Sequence, residues 1–200
     1  MGLIPIPPGQ LAAVVTYLEM RERPLPAPLP SSPLRLERWR VPRPERYRAL
    51  FRRVGAPWLW FSRLAMDDAT LEAIIGDAAV ELFAMTERGV EVGMLELDLR
   101  VAGDCELAYV GLVPELAGKG HGRWLLAKAL ALAWRPGITR VHVHTCSLDH
   151  PAALPAYRRA GFGVTGRAVE TFPDPREVGL LEPGDAPQVA ALAAPTAKRR

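Results

Sequence analysis

Residues 105–134 read CELAYVGLVPELAGKGHGRWLLAKALALAW, and the interpretation of the whole chain starts from them. The segment opens with an apolar run typical of a buried strand, passes through a turn that contains Gly118, Gly120 and Gly122, and continues with a helical pattern of apolar residues. A glycine-rich turn of this kind places several backbone N–H groups, unobstructed by Cβ atoms, at the positive end of a helix dipole. The turn is therefore predicted to receive the oxygens of a diphosphate.

The spacing of the glycines separates this turn from two better-known phosphate-binding loops. No Lys-Ser or Lys-Thr pair closes a GxxxxGK[ST] loop, and the pattern is GxGxG rather than GxGxxG. Residues 117–122, AGKGHG, instead resemble motif A of the GNAT superfamily of N-acetyltransferases, R/Q-x-x-G-x-G/A, which lies between a strand and a helix. Ala117 stands where the motif has Arg or Gln, so one side chain that normally stiffens the turn or reaches over the pyrophosphate is missing.

A second segment supports the resemblance. HPAALPAYRRAGF, residues 150–162, is similar to the superfamily's N-x-x-A-x-x-x-Y-x-x-x-G-F pattern. His150 replaces the Asn, and the matching residues are Ala153, Tyr157, Gly161 and Phe162. Both motifs occur in the expected order, and the resemblance covers residues 77–172. It implies the GNAT acyl-CoA N-acyltransferase fold, an α/β (α+β) domain with a central mixed, twisted sheet flanked by helices.

The composition is that of one domain with a substantial core. The chain has 200 residues, of which 49% are hydrophobic, and its apolar runs stop short of the roughly 18 residues of a membrane span. The start MGLIPIPPGQ lacks the basic region of a signal peptide, and two cysteines do not indicate a disulfide framework, so we expect a cytoplasmic protein. The net charge is +3, but the arginines are dispersed along the chain, which does not favour binding to nucleic acid.

The chain is predicted to have three parts. Residues 1–33 hold a strand, LAAVVTYLEM, and a proline-rich extended linker that pack on the same domain. Residues 34–172 form the GNAT domain, and residues 173–200 form an irregular tail. The predicted elements of the domain are a strand over 34–40, helices that begin near Pro44 and Asp67, an antiparallel meander over 79–87, 90–100 and 105–113, a helix over 122–134 and a strand over 138–146 parallel to 105–113.

Two features of the topology are predicted more sharply. The chain after Phe172 lacks the final strand that the superfamily inserts between its fifth and sixth strands, so we expect residues 11–20 to fill this place. Pro155 has no N–H to donate in the second turn of a helix that begins at Pro151. The regular helix is therefore expected to begin near Ala152 or Ala153, or to kink.

The resemblance implies that acetyl-CoA is the co-substrate. Its pantetheine arm would pair with the exposed edge of the strand that ends near Val113, and Gly111 would allow a close approach. The diphosphate would lie on the N–H groups of the glycine turn, with the charges of Lys119 and Arg123 nearby. The predicted cofactor-binding residues are Leu112, Val113, Gly118, Lys119, Gly120, His121, Gly122 and Arg123.

Acetyl transfer to an amine requires a base to deprotonate the amine and an acid to protonate the departing thiolate. Glu106 is the candidate base: by strand alternation it shares a face with Ala108, Val110 and Leu112, and histone-type members of the superfamily carry a catalytic Glu at this spacing. Burial is expected to raise its pKa toward about 6 to 7. The resemblance implies Tyr157 as the acid. A structural ion pair for Glu106 and plain packing for Tyr157 are the alternatives.

Several other side chains are open to two interpretations. His142 and His144 share a strand face, but no third ligand at suitable spacing appears, so no metal is predicted and both are taken as residues of the sheet. His150 is expected to cap the helix that follows. Trp58, Trp60 and Phe61 either line an acceptor pocket or pack beneath a loop.

These inferences predict an N-acetyltransferase that transfers an acetyl group from acetyl-CoA to a primary amine of a small molecule or peptide by direct attack. Two alternatives stay open. The loss of Arg or Gln at Ala117 suggests a non-catalytic acyl-CoA-binding or regulatory module. The basic charge balance suggests an acyltransferase that acts on a macromolecule, such as a protein N-terminus or a charged tRNA.

Overall fold

A computed structural model of the protein describes residues 2–25 and 27–192. Seven strands form one sheet in the order β2-β3-β4-β5-β6-β1-β7, and every neighbouring pair is antiparallel except β5 and β6. The strands are β1 (Gln10–Met20), β2 (Arg35–Trp39), β3 (Val80–Glu87), β4 (Val90–Asp98), β5 (Asp104–Leu112), β6 (Arg140–Cys146) and β7 (Gly163–Pro173), and the helices are α1 (Pro44–Gly55), α2 (Asp68–Ile75), α3 (His121–Ala133) and α4 (Ala153–Arg159). The predicted mixed sheet flanked by helices is confirmed.

Local sequence signals account for the ends of several elements. Pro44 occupies the first turn of α1, where its missing N–H has no partner to lose. The Asp67 carboxylate accepts a hydrogen bond of 2.7 Å from the Thr70 N–H and so caps α2. Arg88 and Gly89, with φ of 50° and 81°, form the tight turn between β3 and β4.

Helices cover both faces of the sheet. Glu96 on β4 accepts a hydrogen bond from the Tyr47 hydroxyl of α1. Glu81 on β3, which pairs with Leu97 and so points to the opposite face, is held at 2.8 Å by Arg135 just after α3. Consequently α1 and α3 lie on opposite faces, with the core packed between each helix and the sheet.

The N-terminal strand lies inside the sheet, not at its edge. Strand β1 pairs with β6 on one side and with β7 on the other, and it buries Ala13 on one face and Leu18 on the other. The prediction that residues 11–20 fill the place between the superfamily's fifth and sixth strands is confirmed, because β6 and β7 are those strands in this chain.

Deleting residues 1–23 is expected to abolish cooperative unfolding. Without β1, the facing edges of β6 and β7 lose their backbone partners and the core loses Leu18 and its neighbours. Thermal denaturation followed by circular dichroism measures this, with deletion of residues 1–6 as the control that leaves β1 intact. A 1–23 deletion that melts cooperatively and still binds CoA would show that β1 is dispensable.

Helix α4 begins at Ala153, as the position of Pro155 predicted. Starting there, the helix places Pro155 in its first turn, where an N–H has no intrahelical acceptor. The Nδ1 atom of His150 accepts a hydrogen bond of 3.0 Å from the Ala152 N–H in the turn before the helix. The N-cap position is Ala152 and no side chain caps the helix, so the expected capping role of His150 is wrong.

The chain after β7 runs as turns without a helix or strand as far as residue 192. Arg176 is nearly buried and forms an ion pair of 2.7 Å with Asp174, while it also donates to the Val189 carbonyl at 2.9 Å. The described part of the tail therefore wraps irregularly, as predicted, and the remainder lies outside the described residues. Among the residues that are described, no helix is long and apolar enough to cross a membrane.

Candidate active site

The parallel strands β5 and β6 separate and open a cleft. They pair only from Asp104 to Glu106 on β5 and from Arg140 to His142 on β6. Beyond that point a cavity of about 470 Å³ lies between them, lined by residues 107–113 of β5 and residues 144–146 of β6. The two strands therefore splay apart at their carboxyl ends.

A β-bulge changes which side chains of β5 share a face. Leu107 pairs with Leu97 and Tyr109 pairs with Glu96, so Ala108 is the extra residue. Cross-strand partners point to the same face, which places Glu106, Tyr109 and Gly111 together on the α1 side. The predicted alternation is therefore wrong beyond the bulge, where Val110 and Leu112 point to the opposite face from Glu106.

The glycine turn forms an open cradle at the start of α3. Gly118 and Gly120 have φ of 75° and 80°, a conformation that L residues rarely adopt. A Cβ atom built at Gly118, Gly120 or Gly122 would meet no atom within 4 Å, so the space above these residues is free for a ligand. These glycines and Arg123 line the cleft, and this combination of exposed backbone and helix N-terminus fits a diphosphate.

The other predicted donor-binding residues occupy different positions. The backbone groups of Val113 are already hydrogen-bonded within the protein: its N–H donates to the Val92 carbonyl at 2.9 Å and its carbonyl accepts from the Leu116 N–H at 3.0 Å. Antiparallel alternation then directs the N–H and carbonyl of Leu112 away from β4, toward the splay. The side chain of Lys119 is exposed, and the Nδ1 atom of His121 lies 3.1 Å from the Ser32 hydroxyl of the linker.

Tyr157 lines the cleft from α4, where its ring packs edge-on against Phe162 with the centroids 5.8 Å apart. Burial raises the pKa of Tyr157 well above its usual value, and the negative charge of Asp149 raises it further. The phenol therefore keeps its proton at neutral pH, which an acid requires.

Glu106 lies beside a smaller cavity of about 330 Å³ and does not line the main cleft. Its Oε1 atom is 3.3 Å from Nδ1 of His144, and this hydrogen bond lowers the pKa of Glu106 despite the opposing effect of burial. The prediction of a raised pKa is wrong because it included desolvation but no cationic partner. The same hydrogen bond raises the pKa of His144, whose ring lines both cavities.

His144 is a functional candidate that the sequence analysis treated only as a residue of the sheet. In the structure His142 pairs directly with Glu106 across the parallel strands, so the histidine two residues later lies on the same face near the carboxylate, a register that the sequence alone does not give. Among the residues that the structure describes, no group of three or more His, Cys, Asp or Glu side chains could hold a metal ion.

The aromatic residues 58, 60 and 61 pack against neighbouring rings and also line the cleft, so packing and a place in the pocket wall do not exclude each other. Trp60 lies 5.6 Å from Phe51 and 5.2 Å from Tyr109 between ring centroids. Trp58 packs edge-on against His150 at 5.0 Å. All three residues, Trp58, Trp60 and Phe61, contribute to the wall of the cleft.

Asp149 was missed entirely by the sequence analysis. It follows β6 directly, and its carboxylate accepts hydrogen bonds from Trp60 Nε1 at 3.0 Å, Thr145 Oγ1 at 2.7 Å and the Cys146 N–H at 2.8 Å. The available signal was an acidic residue at the carboxyl end of a strand in the parallel pair, the usual position of ligand-binding groups in such sheets.

Known proteins share this architecture. The sequence profile described as "Acetyltransferase (GNAT) family" matches residues 35–162. No protein of curated function matches the sequence. A GCN5-related N-acetyltransferase from Sphaerobacter thermophilus superposes with a TM-score of 0.58 at 20% identity, with 84% of this chain and 52% of that chain covered.

Two further structures show the same fold. A functionally unknown conserved protein from Staphylococcus epidermidis ATCC 12228 has a TM-score of 0.53 at 13% identity, with coverage of 83% and 63%. AAC(6')-Iy in complex with the bisubstrate analog CoA-S-monomethyl-acetylneamine has a TM-score of 0.52 at 20% identity, with coverage of 68% and 94%. This chain thus spans 63% of the S. epidermidis protein and 52% of the S. thermophilus one. With a profile match across most of the sheet, a glycine cradle at α3 and a splayed parallel pair, the chain belongs to the GNAT acetyltransferase family.

Proposed function

We propose that the protein is an N-acetyltransferase that transfers an acetyl group from acetyl-CoA to a primary amine by direct attack. The observation that carries the proposal is one continuous cleft that contains the glycine cradle, Tyr157 and the aromatic wall. Membership of the GNAT family supports the donor. The solved complex of AAC(6')-Iy with a CoA-containing bisubstrate analog supports a cleft that takes donor and acceptor together.

Two backbone segments would bind different parts of the acetyl-CoA donor. The N–H groups of the turn from Gly118 to Arg123 would receive the diphosphate, with each hydrogen bond to a charged oxygen contributing roughly 1.5 to 3 kcal/mol. The outward-facing backbone of Leu112 would pair with the pantetheine arm. The donor supplies an acyl thioester whose carbonyl carbon is open to an amine. A cradle built from backbone groups can bind the donor without the side chain that Ala117 lacks.

Two residues of the cleft, His144 and Tyr157, are assigned to the proton transfers of the reaction. Neutral His144, supported by Glu106 at 3.3 Å, takes a proton from the ammonium group of the acceptor, directly or through water. The amine nitrogen then forms a bond to the thioester carbon, the C–S bond breaks, and Tyr157 donates its proton to the sulfur. The second proton of the nitrogen leaves as the amide forms and returns through water to the Tyr157 oxygen, which restores the phenol. Overall an ammonium and a thioester yield an amide, a thiol and one released proton.

Direct attack is favoured over a covalent intermediate on the enzyme. Cys146 lines the cleft and is the nucleophile that such an intermediate would use. Burial raises the pKa of Cys146 to about 11, so the thiol stays protonated at neutral pH and is a poor nucleophile.

Replacing Tyr157 by Phe is expected to lower kcat roughly a hundredfold, since positioned acids contribute about 10² to 10⁴. The ring stays in place and CoA affinity stays within about twofold of wild type. Release of the CoA thiol in a steady-state assay measures kcat, and Glu72→Gln on the exposed surface of α2 is the control. Full activity in Tyr157→Phe would remove the tyrosine from the mechanism.

The experiment that tests the function combines CoA calorimetry with turnover on a panel of amines. An enzyme binds CoA and releases free thiol only when a suitable amine is present. Binding without turnover on any amine would support the acyl-CoA-binding module instead, and absence of CoA binding would contradict both.

A further inference from the structure

We propose that the acceptor is a primary ammonium carried on an alkyl or aryl skeleton that has no carboxylate of its own, and that Asp149 binds this ammonium. The inference rests on the proposed function and adds the substrate class and a specificity-determining residue. It follows from the charge and the chemistry of the residues that line the cleft.

The Asp149 carboxylate is held in position by hydrogen bonds and has no cationic partner among the described residues. Its three hydrogen bonds come from an indole, a hydroxyl and a backbone N–H, all of which are neutral. In the part of the chain that the structure describes, Asp149 makes no ion pair. A carboxylate held this way at a cavity wall is preorganised for an incoming cation.

A second carboxylate, that of Glu170 on β7, lines the same cavity. Glu170 is exposed and has no hydrogen bond or ion pair to another side chain among the described residues. The arginines that line the cleft, Arg123 and Arg159, belong instead to α3 and α4, the elements assigned to the donor. The cleft therefore carries its two carboxylates on the segment after β6 and on β7, and its two arginines on α3 and α4.

The surface between the charges is aromatic. The rings of Trp58, Trp60, Phe61 and Tyr109 line the cavity, and Val15 and Phe172 extend the apolar wall. An alkyl or aryl group gains from contact with these rings, and an ammonium is further attracted to the face of an indole. A sugar amine would leave hydroxyl groups unpaired against the same surface.

Asp149 and His144 have separate tasks. Asp149 binds the amine in its charged form, and His144 takes the proton that must leave before attack. An amino acid would bring its own carboxylate within a few bonds of the amine, toward Asp149 and Glu170, where like charges repel. Charge thus discriminates between an amine and the corresponding amino acid even when the skeletons are identical.

The test measures kcat/KM with acetyl-CoA for matched pairs of acceptors. 2-Phenylethylamine and tryptamine are compared with phenylalanine and tryptophan, which differ from them only by the carboxylate, and with glucosamine. We expect kcat/KM for each amine to exceed that for its amino acid and for glucosamine at least a hundredfold. Equal or better use of the amino acids or of glucosamine would overturn the inference while the proposed function stands.

Three variants test whether Asp149 and Glu170 cause the preference for amines. Asp149→Asn is expected to lower kcat/KM for 2-phenylethylamine at least a hundredfold, chiefly through KM, with CoA affinity unchanged. Glu170→Gln should reduce the preference for amine over amino acid at least fivefold. This substitution breaks no side-chain hydrogen bond in the described part of the chain, so it tests the effect of negative charge in the cleft even if Asp149→Asn fails to fold. Glu72→Gln on the exposed surface of α2 is the control and should change neither ratio. The assignment would be overturned by an unchanged preference for amine over amino acid in Glu170→Gln, or by an unchanged KM in folded Asp149→Asn. Failure of all the amines together with loss of CoA binding would instead overturn the proposed function.

Discussion

Gly120→Val is expected to raise the dissociation constant for CoA at least a hundredfold while the protein still folds. Gly120 has φ of 80° and stands immediately before α3, and its Cα faces open space where the phosphate oxygens would approach. A valine side chain fills that space and disfavours the backbone angle that aims the neighbouring N–H groups. Loss of two hydrogen bonds to charged oxygens, at roughly 1.5 to 3 kcal/mol each, corresponds to about 10² to 10⁴ in affinity.

Gly137→Val provides a matched control for this experiment. Gly137 also has a positive φ, of 90°, and a Cβ there would likewise meet nothing within 4 Å. It lies in the turn after α3 and does not line the cleft. Both valines strain the backbone by about 1 to 2 kcal/mol, so similar losses in thermal stability are expected. Calorimetric titration with CoA separates them, and equal affinities in the two variants would contradict the assignment of the cradle.

Glu106→Gln is expected to lower kcat by roughly 10² to 10⁴ with CoA affinity near that of wild type. Glutamine preserves the size of the side chain but removes the charge that holds an imidazolium at His144. The proton from the amine then has no stabilised acceptor. Raising the pH should restore part of the lost rate, because more of the amine is deprotonated in solution.

The pH profile gives this variant a second, independent result. In the proposed mechanism neutral His144 is the base, and its pKa is raised by the hydrogen bond with Glu106. In wild type, kcat should therefore rise with pH through a midpoint above the usual histidine value of about 6.5, and in Glu106→Gln the midpoint should move down toward that value. Unchanged kcat and an unchanged midpoint together would make Glu106 part of a structural ion pair.

Predictions from local sequence agree with the structure. The strand, turn and helix of residues 105–134, the helix start at Pro44 and the cap at Asp67 each depend on residues within a few positions of one another. Helix α4 could be placed for the same reason, since Pro155 excludes an earlier start. The position of β1 was predictable from the resemblance, which identified a missing strand, and not from the residues of β1 themselves.

Predictions that depended on distant partners were less successful. The bulge at Ala108 reverses the alternation on β5, and nothing within that strand marks it. The pKa of Glu106 depends on His144, which is close only because two parallel strands are in register. The Asp149 carboxylate is held in place by Trp60, which lies 89 positions away in the sequence and donates a hydrogen bond to it. The residues proposed to act in catalysis and acceptor binding are brought together by such pairings, whereas the glycine cradle is a single continuous segment.

The central position of β1 has a consequence for how the protein is made. Residues 10–20 leave the ribosome first among the strands, yet their partners β6 and β7 are synthesised last; Val14 and Ser147, which bond across this junction, are 133 residues apart. Until synthesis reaches β7, both edges of an apolar strand lack their native partners, and closing the sheet requires contacts of very long sequence separation. The sheet of this domain can therefore close only after β6 and β7 have been made, and we expect it to fold slowly compared with a domain of the same size whose contacts are local.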